Sequence, residues 1–202
     1  MKKLDINPKT KALIFDLDGT LADTMPLHFQ AYKNVLKNFG INFSPGIFVS
    51  LAGIPAVGTI EKLNEIYNTE MVAEEVGHLK ELEYEKIMHK MKPVQPVIDL
   101  VERYYGKLPM AVGTGGYNRL SWKTMHILGL EKYFDILVSN EDVRRPKPFP
   151  DTFLRCAELM VVEPSVCEVF EDGAPGIQAA KEAGMMVTAV TDYYLVTIGE
   201  EI

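Results

Sequence analysis

Apolar residues follow two rhythms along this chain. Five short runs, at 11–15, 109–113, 135–138, 166–170 and 186–190, are nearly continuous in apolar side chains, as strands buried on both faces are. Between the later runs, segments 97–105, 120–128, 151–161 and 176–183 repeat apolar residues at helical spacing. Strand alternating with helix predicts an α/β fold, with a Rossmann-like parallel sheet carrying helices on both faces. One connection is too long. Roughly 90 residues separate the first two runs, where a parallel crossover needs only a dozen or so. That stretch is mostly helical in pattern, over 28–39, 56–67 and 71–91, and turn residues break it at 40–53. It reads as an inserted α-helical cap domain spanning 25–93, which leaves 1–24 and 94–202 as the α/β core. Pro93 and Pro96 mark the return, and 24–26 and 92–93 are the expected hinges.

Length suits this division, since 202 residues accommodate one core domain with a sizeable insertion. The net charge of −7 argues against nucleic acid as a partner, although a metal and a few local cations still permit an anionic small molecule. Residues 1–10 are polar, so no signal peptide is expected. No apolar run approaches the roughly 20 residues that cross a bilayer, so no membrane partner is expected. Cys156 and Cys167 are the only cysteines and suit reduced thiols in a cytoplasmic protein. A monomer is favoured.

In an open parallel sheet, ligands bind outside the carboxyl ends of the strands. The first run ends in Phe15-Asp16-Leu17-Asp18-Gly19-Thr20, the second in Val112-Gly113-Thr114-Gly115-Gly116, and the fourth in Phe170-Glu171-Asp172-Gly173. Arg145-Pro146-Lys147-Pro148 follows the third. Each motif alone is weak: an Asp-x-Asp is often a solvated strand end, a Gly-Thr-Gly-Gly a turn, and a Lys-Pro a loop. Together they bring carboxylates, a hydroxyl and a lysine to one sheet edge, which is the equipment of phosphoryl transfer. Asp16 can attack phosphorus, and Asp18, two residues on, can move a proton to the leaving oxygen. Thr114 and Gly115 can bind phosphate oxygens, and Lys147 can balance the charge on the transferring group. A carboxylate attacking an anion needs a hard cation, so Mg2+ is the expected cofactor. The metal candidates are Asp16, Asp18, Glu171 and Asp172.

These motifs resemble those of the haloacid dehalogenase-like hydrolases. The resemblance implies that Asp16 is the nucleophile, Asp18 the general acid/base, Thr114 and Lys147 phosphate-stabilising groups, and Glu171-Asp172 the acidic pair that binds magnesium. The segment after Asp16-Leu17-Asp18-Gly19-Thr20-Leu21 looks like the family's helical cap. Asp23-Thr24, His28-Phe29-Gln30-Ala31 and Leu51-Ala52-Gly53 are similar to the β-phosphoglucomutase-like subgroup, which includes hydrolases of small sugar phosphates. That subgroup points to His28, Gly53 and Lys80 as substrate-binding residues of the cap. It implies a small phosphate ester as substrate, with fructose 1-phosphate the best guess. The mutase needs cations around the Gly53 loop, and Ser50-Leu51-Ala52-Gly53-Ile54-Pro55-Ala56 has none, which favours a phosphatase. A mutase remains the alternative, as does a catalytically idle phosphate-binding protein on the same scaffold.

Overall fold

The structure, a computed structural model, describes residues 3–51 and 54–194. In chain order its elements are β1 (Ala12–Phe15), β2 (Ala22–Asp23), α1 (Met25–Leu36), α2 (Pro45–Ser50), α3 (Ala56–Tyr67), α4 (Ala73–Ile87), β3 (Lys92–Pro93) and α5 (Gln95–Tyr104). There follow β4 (Met110–Gly113), α6 (Asn118–Ile127), β5 (Leu137–Val138), α7 (Asp151–Met160), β6 (Cys167–Glu171), α8 (Ala174–Glu182) and β7 (Met186–Ala189). They form two compact units, residues 3–23 with 92–194, and residues 24–91.

The first unit is built on a parallel sheet in the order β5-β4-β1-β6-β7. Alternation along β1 explains its two covered faces. Leu13 and Phe15 join Val97, Leu100 and Val101 of α5 and Met125 of α6 in one buried cluster. Ala12 and Ile14 join Phe153, Cys156 and Ala157 of α7 and Ala179 and Ala180 of α8 in another. Phe15 stacks on Phe170 with ring centroids 5.1 Å apart and meets the edge of Phe134 at 5.7 Å. Both cysteines are free and buried. No described helix is long and apolar enough to cross a membrane.

The second unit is helical, with α4 packed on both α1 and α3. Its core is aromatic: Phe29, Tyr32, Phe43 and Phe48 surround one another, with Ile60, Leu63 and Val76. The expected break at 40–53 contains α2, a helix the turn residues concealed. Ser44 is its N-cap, accepting from the Ile47 amide at 3.3 Å, and Pro45 opens its first turn, so Ser-Pro is here a helix start.

The boundary between the units differs slightly from the expected 25–93. Residue 24 falls in the helical unit, and Lys92 and Pro93 fall in the α/β unit. The reason is a ribbon too short to show periodicity: β2 and β3 pair antiparallel, Ala22 with Pro93 and Asp23 with Lys92. The chain therefore leaves and re-enters the α/β unit on adjacent strands.

Candidate active site

Strand register brings the dispersed motifs level. Phe15 pairs with Val112 on one side and with Phe170 on the other. The residue after β1 is Asp16, whose amide still donates to the Phe170 carbonyl at 3.0 Å. Glu171 and Asp172 follow Phe170, and Thr114 follows β4, its amide donating to the Val138 carbonyl at 2.8 Å. Pairing of three neighbouring strands thus sets the spacing of these side chains.

Lys147 joins them from the loop between β5 and α7. Its Nζ donates to Asp16 Oδ1 at 2.6 Å and to Glu171 Oε2 at 2.7 Å. The stem lies against Phe153, with Nζ 4.7 Å from the ring centroid. Arg145 braces the same loop, pairing with Asp151 at 3.0 Å and lying over Phe149 at 4.9 Å. Glu171 is fully engaged: its Oε1 accepts from the amides of Asp172 at 3.2 Å and Gly173 at 3.0 Å, at the start of α8. Asp172 Oδ1 accepts from the Thr20 hydroxyl at 3.2 Å.

Two glycines make this packing possible. Gly19 has φ +85°, and a Cβ there would stand 2.2 Å from Asp172 Oδ2. A Cβ on Gly176 would stand 1.9 Å from Glu171 Oε2, the oxygen that holds Lys147. Motif reading singles out Gly19 for its turn. The role of Gly176 is invisible in sequence, because a glycine in the first turn of a helix carries no sign of the side chain that occupies its place.

Asp18 sits on a tight turn. The Gly19 amide donates to the Ala22 carbonyl at 2.7 Å, the Ala22 amide donates to the Leu17 carbonyl at 2.9 Å, and Asp18 bridges to Ala22. A Cβ on Gly116 would lie 3.6 Å from Asp18 Oδ2, so Asp18 and the 114–116 loop are neighbours. Thr114 is buried, and its Oγ1 accepts from the Gly116 amide at 3.0 Å, which leaves the hydroxyl proton to donate. Gly115 is exposed, with nothing within 4 Å of where its Cβ would stand, so its backbone is open to a ligand.

Electrostatically the site is short of positive charge. Burial and the neighbouring Glu171 push the Asp16 carboxyl up, with Lys147 opposing. Burial and Glu171 likewise push Asp172 up to about 7. Burial works against the Lys147 ammonium too, but Asp16 and Glu171 outweigh it and keep it charged. Ligand atoms of Asp16, Glu171 and Asp172 lie within 4.8 Å of one another. This donor set, carboxylate oxygens sharing a single ammonium, fits a hard divalent cation. Both oxygens of Glu171 are already in use, so Asp16 and Asp172 are the better-placed ligands. Asp18, also a metal candidate by sequence, is not part of this cluster.

The cap candidates lie in the helical unit. Lys80 Nζ is 2.9 Å from His28 Nδ1 and 3.0 Å from Glu81 Oε1, and the His28 ring stacks on Tyr84 at 3.9 Å. Lys80 is only 4% exposed, unlike the solvated face that its spacing on α4 equally allows. Burial first, then the Lys80 charge, hold the His28 imidazole well below its ordinary pKa, so it is neutral. Gly53 lies outside the described residues.

Residues 13–190 match the family profile of the haloacid dehalogenase-like hydrolases. Fructose-1-phosphate phosphatase YqaB of Escherichia coli is 38% identical over 86% of this chain and 92% of its own. The β-phosphoglucomutase of Bacillus subtilis is 30% identical over 89% of this chain and 83% of its own. Among solved structures, a HAD hydrolase of family IA, variant 3, from Entamoeba histolytica superposes with a TM-score of 0.77 at 28% identity, covering 93% of this chain and 86% of that one.

Proposed function

Because the chain belongs to the haloacid dehalogenase-like hydrolase family, we propose that it is a magnesium-dependent phosphatase that hydrolyses a small sugar phosphate through an aspartyl-phosphate on Asp16. The observation that carries this reading is the buried bridge from Lys147 to Asp16 and Glu171 at the carboxyl edge of the sheet. It supplies a nucleophile and a charge-balancing cation at one point.

In the first step an Asp16 carboxylate oxygen attacks phosphorus, and the bond from phosphorus to the ester oxygen breaks. Asp18 gives that oxygen its proton, and the free alcohol leaves. In the second step water attacks the phosphorus of the aspartyl-phosphate while Asp18 takes back a proton. The bond to Asp16 breaks, inorganic phosphate departs, and both aspartates are restored. The Thr114 hydroxyl and the open Gly115 backbone hold phosphate oxygens, and Lys147 offsets their charge. Glu171 holds Lys147. Asp16 and Asp172 would hold Mg2+, which supplies positive charge to nucleophile and phosphate alike. The helical unit, with His28, Lys80 and the loop of Gly53, would recognise the leaving alcohol, because the other groups see only the phosphate that all substrates share.

Identity to the E. coli fructose-1-phosphate phosphatase supports a sugar phosphate, with fructose 1-phosphate the first to try. The B. subtilis mutase supports a second reading, phosphoglucomutase, against which stands the absence of any cation in residues 50–56. A panel of sugar phosphates assayed with and without Mg2+ separates the two. A phosphatase releases inorganic phosphate, whereas a mutase converts a hexose 1-phosphate to the 6-phosphate and releases almost none. Undiminished activity in excess chelator would refute the metal requirement.

A further inference from the structure

The C-terminal end of the α/β unit returns to the point where the chain leaves that unit. After β7 a short turn, Val190–Asp192, brings Val190, Tyr193 and Tyr194 against the cluster that holds Phe15, Leu21 and Val94. Tyr194 donates its phenol hydroxyl to Asp23 Oδ2. Asp23 is the last residue before the helical unit and pairs with Lys92, the first after it. Its other oxygen, Oδ1, is buried with no hydrogen-bond partner among the described residues. A buried carboxylate oxygen without a donor is destabilising, so this side chain depends on the phenol. Burial, reinforced by Asp23, pushes the Tyr194 hydroxyl well above its ordinary pKa, and the phenol remains a donor across the working pH range.

The strand that carries Asp23 also seats Asp18. Ala22 accepts from the Gly19 amide, donates to the Leu17 carbonyl and bridges to Asp18. Just beyond the second strand of the ribbon, the Val94 amide donates to the Leu21 carbonyl at 3.0 Å. Asp23 is therefore joined to the turn of Asp18 within a few residues, through backbone bonds alone.

We propose that Tyr194 is a positioning residue: by holding Asp23 it pins the β2–β3 ribbon, and the ribbon fixes the turn that presents Asp18 to the leaving oxygen. This rests on the reading of Asp18 as the general acid. A phenol nearly at the end of the described chain would thus support proton transfer without touching the substrate.

Tyr194→Phe tests this, since it keeps the apolar ring and removes only the donor. The value of kcat/KM reports events up to formation of the aspartyl-phosphate, where a sugar alkoxide needs the proton of Asp18 and p-nitrophenolate does not. We expect kcat/KM to fall about 10-fold for a hexose phosphate and less than about 2-fold for p-nitrophenyl phosphate. Hydrogen exchange at amides 17–23 should quicken about 10-fold, and the thermal midpoint should fall by a few degrees as the Asp23 carboxylate loses its donor. Equal losses on both esters would reduce Tyr194 to a packing residue and overturn the proposal. Unchanged kinetics on a wild type active towards both esters would also overturn it. If the wild type hydrolyses neither ester, the phosphatase reading fails, and the exchange of 17–23 still decides: unaltered exchange would overturn the anchoring of the ribbon, and faster exchange would support it.

Discussion

The two units bury charge of opposite sign. The α/β unit clusters the carboxylates of Asp16, Glu171 and Asp172, with one ammonium paired to the first two. The helical unit buries an ammonium, Lys80, against a neutral imidazole, with Glu81 beside it and 31% exposed. An acid-rich site calls for a cation. A buried amine, costly to desolvate, suits a place where hydroxyl or anionic groups of a ligand are to be held. The contrast divides labour as proposed above, with chemistry in one unit and selection in the other.

The sharpest way to break that contrast is Asp16→Asn. An amide cannot form the acyl phosphate, so phosphate release should fall by more than about 10^4-fold on every ester, with circular dichroism unchanged. Near-normal turnover would show that Asp16 is not the nucleophile.

Gly176→Ala should have the next largest effect. A Cβ 1.9 Å from Glu171 Oε2 must displace the carboxylate, and Lys147 with it. A shift of about 1 Å in such a group costs about 10^2-fold in kcat/KM, and the loss should be alike for sugar and aryl phosphates. A wild-type rate would show that Glu171 has room elsewhere.

Protons and metal compete for the acid-rich site, and the sign of that competition is testable by thermal unfolding. Asp172 rises from 3.8 to about 7 in the folded chain. The folded state therefore holds a proton that the unfolded state has lost. That contribution to stability is complete below pH 3.8 and disappears as pH climbs through about 7. Mg2+ binds only the ionised form, so it should raise the melting temperature more at pH 8 than at pH 5. Metal at a hundredfold excess over its dissociation constant is worth about 2.7 kcal/mol. An equal shift at both pH values would exclude Asp172 as a ligand.

Lys80→Met, which roughly keeps volume, tests the other side of the contrast. A loss of about 10-fold, or about 1.4 kcal/mol, is expected in kcat/KM for the sugar phosphate, with almost none for p-nitrophenyl phosphate. Equal losses would place Lys80 in the fold or the chemistry rather than in selection.

How far each unit could be read from sequence follows the same division. The five sheet strands are apolar runs, and once they are paired in parallel, Asp16, Thr114 and Asp172 must emerge at one edge. Local pattern there determines global geometry. The link from Lys147 to Glu171 and the space above Gly176 were not legible, since both arise from a loop and a helix meeting in three dimensions. In the helical unit, periodicity located α1, α3 and α4 but could not pair His28 with Lys80, which are 52 positions apart. Nothing in the rhythm of α4 distinguishes Lys80 from its solvated neighbours. The ribbon of β2 and β3 leaves no mark in the sequence, because two residues make no pattern.

That ribbon also bears on how such a protein can change over time. Residues paired across an antiparallel ladder lie about 5 Å apart, a gap that a two-residue Asn-Gly loop can close. To the sheet, everything between Asp23 and Lys92 is therefore an elaborate hairpin loop. Any segment whose ends meet within one rung could be grafted at that position, or the whole of it removed, with the strand register and its carboxylates left as they are. A lineage carrying this arrangement can exchange the helical unit as one cassette while the sheet and its carboxylates are inherited unaltered.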